Sequence, residues 1–185
     1  FQLQDDYLDT FGDKKTFALE CVTTSRNSST GRVFLYINGL KFGQDEFNEE
    51  LEAFFFRAIK SIKSMNSEYP DLFTLSTEEF VNLCNCIYDD FESPHCDSFI
   101  SHKENGSEID WNTIFRAEHA FDDFTIGYVT KDKIEKIFIH QDDIFLNHVM
   151  EKGSFENLFL KLSSIVLPMY SWNLITFETE VLPLK

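Results

Sequence analysis

The sequence predicts an α+β fold, an antiparallel sheet built from hairpins and packed against two to three helices, and three observations carry that expectation. Short alternating runs are joined by tight-turn signals at two places. Segments of helical periodicity stand between and after them, in mixed order and without the regular strand–helix alternation of a doubly wound parallel sheet. Finally, 21 Phe in a chain that is 43% hydrophobic supply enough apolar area for a packed core in 185 residues, so a formal net charge of -16 decorates a folded surface and does not mark a disordered acidic tail.

The first element spans residues 16 to 23, where Phe17, Leu19 and Cys21 alternate with Ala18 and Glu20 as in a strand with one buried face. After a polar loop, Arg32-Val33-Phe34-Leu35-Tyr36-Ile37 runs into Asn38-Gly39 and then Leu40-Lys41-Phe42, the strongest short-range hairpin signal in the chain. A helix is expected from residue 46 to about 65, with Phe47, Leu51, Phe54, Phe55, Ala58, Ile59, Ile62 and Met65 on one broad face. Its acids (Glu46, Glu49, Glu50, Glu52) precede its bases (Arg57, Lys60, Lys63), as the helix dipole favours. Phe56 falls opposite that face, to be covered by a loop or by a partner.

Ser76-Thr77-Glu78-Glu79 has capping-box spacing and opens a helix to about Asp90, with Phe80, Cys84, Ile87 and Tyr88 inward. Residues 92 to 110 read as a long loop, and a short helical turn is expected at 116 to 119. A second hairpin pairs residues 124 to 130 with 134 to 140 across a three-residue turn, Lys131-Asp132-Lys133. A last helix is expected from 155 to 166, capped by Ser154, with Leu158, Phe159, Leu162 and Ile165 inward and Pro168 beyond its end. The tail from Trp172 to Leu182 alternates as a strand. The whole is read as one domain over residues 1–185, with a loop-rich acidic segment at about 89–123.

That segment dominates the charge. Between Asn66 and Asp123 there are fourteen acids against two bases, Lys103 and Arg116, a net of -12 that leaves -4 for the rest of the chain. A single-sign field of this kind speeds encounter with a basic partner and repels phosphate, so nucleic acid and anionic membrane are not expected as partners. No apolar run approaches the roughly 20 residues that a membrane-spanning helix needs. The start, Phe1 to Asp6, has neither a basic leader nor an apolar core and is not read as a signal peptide; without an initiator Met, it leaves room for residues upstream. Cys21, Cys84, Cys86 and Cys96 are read as reduced thiols, which places the protein in the cytoplasm.

Local chemistry is sparse. Cys84, Cys86, His95, Cys96 and His102 suggest a metal, but Cys84 and Cys86 lie about 200° apart around a helix and cannot face one ion. No metal or cofactor is therefore expected. Cys96 with His119 could be drawn as a nucleophile and base on composition alone. Asp89-Asp90, Asp122-Asp123 and Asp142-Asp143 are sequence neighbours, which mark turns and element ends more than convergent acid–base pairs. No phosphate-binding glycine loop, nucleophile elbow or H-E-x-x-H is present. No catalytic residue is assigned. An acidic small enzyme of unmarked class and a protein-interaction adaptor remain the alternatives to an inhibitor, and the acid could also serve solubility.

Three segments carry a family resemblance. Phe11-Gly12-Asp13-Lys14-Lys15-Thr16-Phe17-Ala18-Leu19-Glu20, the hairpin from Gly31 to Gly43, and Phe121-Asp122-Asp123-Phe124-Thr125-Ile126 leading to Ile137-Phe138-Ile139 resemble, in order and rough spacing, the immunity proteins of bacterial polymorphic toxin systems, specifically the immunity family numbered forty-two. Leu35-Tyr36 stands where that family carries a Trp. The resemblance implies a cytoplasmic antitoxin, not an enzyme, that binds the C-terminal toxic domain of a cognate effector, as in contact-dependent growth inhibition. It transfers no functional residue, because the matched positions look like scaffold. The partner surface is therefore assigned from charge and loop position: Asp89, Asp90, Glu92, Asp97, Glu104, Glu108 and Asp110 to steer a basic, nuclease-type toxin, with Tyr88 and Trp111 as aromatic anchors.

Overall fold

The structure is a computed structural model that describes residues 7–23, 28–46, 48–64, 70–88, 121 and 123–168. Two antiparallel sheets and four helices make up these residues. In the first sheet, β1 (Tyr7–Asp13), β2 (Phe17–Thr23), β3 (Thr30–Ile37) and β4 (Leu40–Phe42) lie in sequence order, and β5 (Glu49–Glu50) pairs with the start of β3. The second sheet is a three-stranded meander of β6 (Thr125–Lys131), β7 (Ile134–Gln141) and β8 (Ile144–Glu151). The helices are α1 (Leu51–Ser64), α2 (Pro70–Phe73), α3 (Thr77–Tyr88) and α4 (Ser154–Val166). This is the α+β arrangement of hairpins and helices expected from the sequence, with the hairpins divided between two sheets.

Turn chemistry sets the registers. Asn38 and Gly39 take φ of 52° and 84°, the left-handed pair that a two-residue hairpin needs, and so Ile37 faces Leu40. Gly12 sits at φ 94°, where a Cβ would lie 2.3 Å from the Phe17 carbonyl, so the β1–β2 hairpin can close only over a glycine. The β6–β7 turn has two residues, Asp132 and Lys133, and not the expected three: Asp132 accepts φ 53° as aspartate can, and Lys131 pairs directly with Ile134.

The main core collects the inner face of the first sheet (Leu19, Cys21, Val33, Leu35), the apolar stripe of α1 (Leu51, Phe54, Phe55, Ile59), one face of the second sheet (Ile126, Ile137, Ile139) and α4 (Phe155, Phe159, Leu162). Its Phe rings pack edge-on and offset, as Phe54 does against Phe55 at 5.3 Å and 85°. A smaller cluster on the opposite face of the second sheet joins Phe80, Leu83 and Cys84 of α3 to Val129 and Phe138.

Several expectations are corrected. The strand beginning at Phe17 is buried on both faces, Ala18 and Glu20 included, and not on one. The helix expected from residue 46 begins at Leu51: Glu49 and Glu50 are drawn into β5 against Gly31 and Thr30, and the Leu51 N–H goes to the Ser29 carbonyl, so Glu52 alone is the acid of the first turn. The helix expected to reach Asp90 is described to Tyr88. Ser154 does not cap the last helix: Gly153 holds the cap position with no side-chain cap bond of its own, and Ile165, expected inward, is exposed, while Phe155 and Val166 face the core. Strands β1 and β8 were not anticipated as such. Phe47, Met65, the loop at 92–110, the turn at 116–119 and the tail strand at 172–182 lie outside the described residues.

Candidate interaction surface

Of the expected partner residues, Tyr88 is the last residue of α3, described in its backbone alone. Asp89, Asp90, Glu92, Asp97, Glu104, Glu108, Asp110 and Trp111 lie outside the described residues, as does most of the acidic segment. The structure does describe the seat from which that segment departs.

The α3 seat is built by four separate contacts. The Ser76–Glu79 box forms as its spacing predicts: the Ser76 N–H donates to the Glu79 carboxylate at 2.7 Å and the Glu79 N–H to Ser76 Oγ at 3.2 Å, satisfying two donors that a helix start would otherwise leave open. The Thr77 hydroxyl donates to the Leu146 carbonyl of β8 at 2.9 Å. The Phe80 ring lies flat on Phe138 at 4.3 Å and 2°, and the space it fills is left by Gly127, where a Cβ would come within 2.1 Å of it. Lys136 of β7, 8% exposed, donates to the Phe73 and Leu75 carbonyls at 3.1 and 2.6 Å, tying the α2–α3 connection to the sheet. Burial pushes its ammonium pKa down, opposed by the Glu79 charge.

Other ionisable clusters are locked in structural work. Glu20 accepts from the Tyr36 hydroxyl at 2.6 Å and pairs with Lys14. The Glu20 hydrogen bond raises the Lys14 pKa, and burial followed by Glu20 raises that of Tyr36. Glu135, fully buried, accepts from the Tyr128 hydroxyl at 2.7 Å and from the Gly153 and Phe155 N–H groups at 2.7 and 2.6 Å. It does for α4 what Ser154 was expected to do, from a strand 18 residues away. Burial, then Glu135, pushes the Tyr128 hydroxyl far above its usual range. These shifts run against chemistry: at neutral pH both tyrosines stay protonated and Lys14 stays charged, so none is poised as a base or nucleophile. Among the described residues no three His, Cys, Asp or Glu side chains are grouped to hold a metal, and Cys21 and Cys84 are buried. No described helix is long and apolar enough to cross a membrane.

The apolar surface is concentrated. Of the six large hydrophobic residues exposed among the described residues, Ile134, Ile144, Phe145 and Val149 belong to the β7–β8 hairpin. Sequence reasoning missed this surface because it stopped the second hairpin at His140; the signal was the Asp142-Asp143 turn followed by an eight-residue segment, Ile144 to Glu151, without glycine or proline. Phe56, expected to need a cover, is half-buried against the rim of the main core, with the Lys60 ammonium 5.7 Å from its ring centre.

The resemblance motifs are scaffold in the structure too. Phe17, Ala18, Leu19 and Glu20 are buried, and Phe121 stacks on Phe54 while meeting Phe124 edge-on at 5.8 Å. The profile of the family described as Immunity protein 42 matches residues 10–165. A comparison with curated protein sequences gives no match. Among solved structures, CdiI from Burkholderia dolosa is similar in fold, with a TM-score of 0.57 and 20% identity over 84% of this chain and 99% of that one.

Proposed function

The chain belongs to the Immunity protein 42 family, and from that membership we propose that it binds a cognate bacterial toxin domain and neutralises it by occupying its surface, without chemistry of its own. The family match across residues 10–165 carries the reading.

In this proposal one immunity-type domain acts in the cytoplasm on a basic, nuclease-type toxin. Asp89, Asp90, Glu92, Asp97, Glu104, Glu108 and Asp110 steer the encounter by long-range attraction, and Tyr88 and Trp111 hold the complex by burial. Steering raises the association rate and is screened by salt; anchoring lowers the dissociation rate and is not.

A pulldown with the product of the adjoining upstream gene, at low and high salt, tests the reading. Salt-sensitive capture of a basic domain with loss of its toxicity is expected, and Asp97→Lys with Glu104→Lys should weaken capture while leaving the thermal transition in place. No capture of that product at either salt concentration would overturn the proposal.

A further inference from the structure

We propose that the Asp142-Asp143 end of the β7–β8 hairpin is a second contact for the toxin domain, in which Phe145 receives an arginine of the toxin and the two aspartates pair with its charge. This rests on the immunity reading above and adds a site that lies apart from the acidic segment in sequence.

The observations are local to one end of the second sheet. His140 and Phe145 face each other across β7 and β8, their ring centres 4.4 Å apart. The His140 Nε2–H donates to the Asp142 carbonyl at 2.9 Å, so the turn fixes the imidazole and the imidazole backs one side of the phenyl ring. The ring nevertheless remains 42% exposed. An aromatic held in place by its neighbours while still open to solvent loses little conformational entropy on binding, which is the property of a binding anchor.

Packing explains why this ring is left open. Phe145 shares its sheet face with Asn147 and Val149, and α3 crosses that face at Phe138 and Asn147, where Phe80 stacks and the Asn147 amide donates to Thr77 Oγ at 3.4 Å. Phe145 lies two residues further along β8, about 7 Å beyond that cover.

Charge selects the occupant. Asp142, Asp143 and Glu78, which follows the Thr77 bonded to β8, are all exposed around this end. Lys131, Lys133 and Lys152 lie at the other end, where the Lys152 N–H donates to the Lys133 carbonyl, and Lys136, on the same face as Phe145, is held by the Phe73 and Leu75 carbonyls over the Phe138 ring. Six residues of strand separate Phe145 from Glu151, roughly 20 Å and more than two screening lengths at physiological salt. Among the described residues the patch therefore presents an aromatic face and exposed carboxylates, while the lysine on its own sheet face, Lys136, is buried and committed to the Phe73 and Leu75 carbonyls. A guanidinium satisfies both at once, lying over the ring while its N–H groups pair with a carboxylate; a lysine can do so less well, and an acidic or purely apolar surface leaves the aspartates unpaired.

The test measures binding of the purified adjoining-gene toxin domain to the full chain by surface plasmon resonance. Phe145→Ala is expected to weaken binding by about 30-fold or more, mainly through faster dissociation. Phe145→Tyr, which keeps the ring, should stay within about threefold of wild type, as should Leu40→Ala, which trims an equally exposed apolar residue on β4. Asp142→Asn with Asp143→Asn, tolerated at a positive φ, should slow association and flatten its salt dependence. Melting temperatures of all four variants should match wild type. If wild type binds and neutralises while Phe145→Ala binds equally well, this inference falls and the immunity reading stands; if wild type itself fails to bind, both fall.

Discussion

Replacing Glu135 should cost this protein a fifth or more of its stability, although its described contacts are all structural. Glu135 is fully buried and its carboxylate accepts three bonds, from the Tyr128 hydroxyl and from the Gly153 and Phe155 N–H groups. Glu135→Ala removes the acceptor and leaves all three donors. Gly153 is half-buried and can turn to water, but Tyr128 and Phe155 are buried. Each buried donor without a partner costs about 1–3 kcal/mol, and the lost carboxylate also gave up a favourable position at a helix N-terminus worth about 0.3–1 kcal/mol. The expected loss is about 3–5 kcal/mol against a typical total of about 5–15 kcal/mol. With a urea slope of about 2–3 kcal/mol per molar, the unfolding midpoint should fall by about 1–2 M. Tyr128→Phe should cost about 1 kcal/mol, and the double variant should cost less than the sum, because the hydroxyl that Glu135→Ala strands is no longer there. Urea unfolding followed by circular dichroism gives all three numbers. A Glu135→Ala loss below about 1 kcal/mol, or strict additivity in the double variant, would refute the view that this carboxylate holds α4 in place.

Two further expectations use other contacts. Gly127→Ala would drive a methyl into the Phe80 ring, and should loosen α3 from the sheet at a cost of about 2–3 kcal/mol, seen as faster amide exchange in α3 than in β2 or β3; unchanged exchange would show that the ring can shift aside. His148 stacks on Phe17 at 5.3 Å and its burial pushes the imidazole pKa below the ordinary value of 6.5. The unfolded chain then takes up this proton more readily than the folded one, so stability should decline as pH falls from about 7 through the folded pKa, and His148→Phe, which keeps the stacking, should show a shallower decline in the same window. A parallel decline in wild type and variant would assign the pH dependence elsewhere.

What the sequence determines by itself is what is decided within a few residues. Asn38-Gly39 specifies its turn because only residues tolerant of positive φ can close it. The Ser76–Glu79 box forms because its two partners are one helical turn apart, and the stripes of α1 and α3 follow from 3.6-residue periodicity. The α+β class and the scaffold role of the resemblance motifs are legible on the same grounds. Tertiary structure decides where local signals compete or are absent. Glu49 and Glu50 could have opened a helix, but pairing with β3 takes their backbone. Ser154 is a sound N-cap in sequence and is not used, since Glu135 reaches the same amides from β7. The exposed ring of Phe145 depends on how far α3 extends over the sheet, a length that no residue of β8 encodes. Hydrogen-bond and turn preferences act between neighbours along the chain, whereas burial and capping are settled by whichever groups packing brings within about 3 Å, and those groups here come from elements 18 to 70 residues apart.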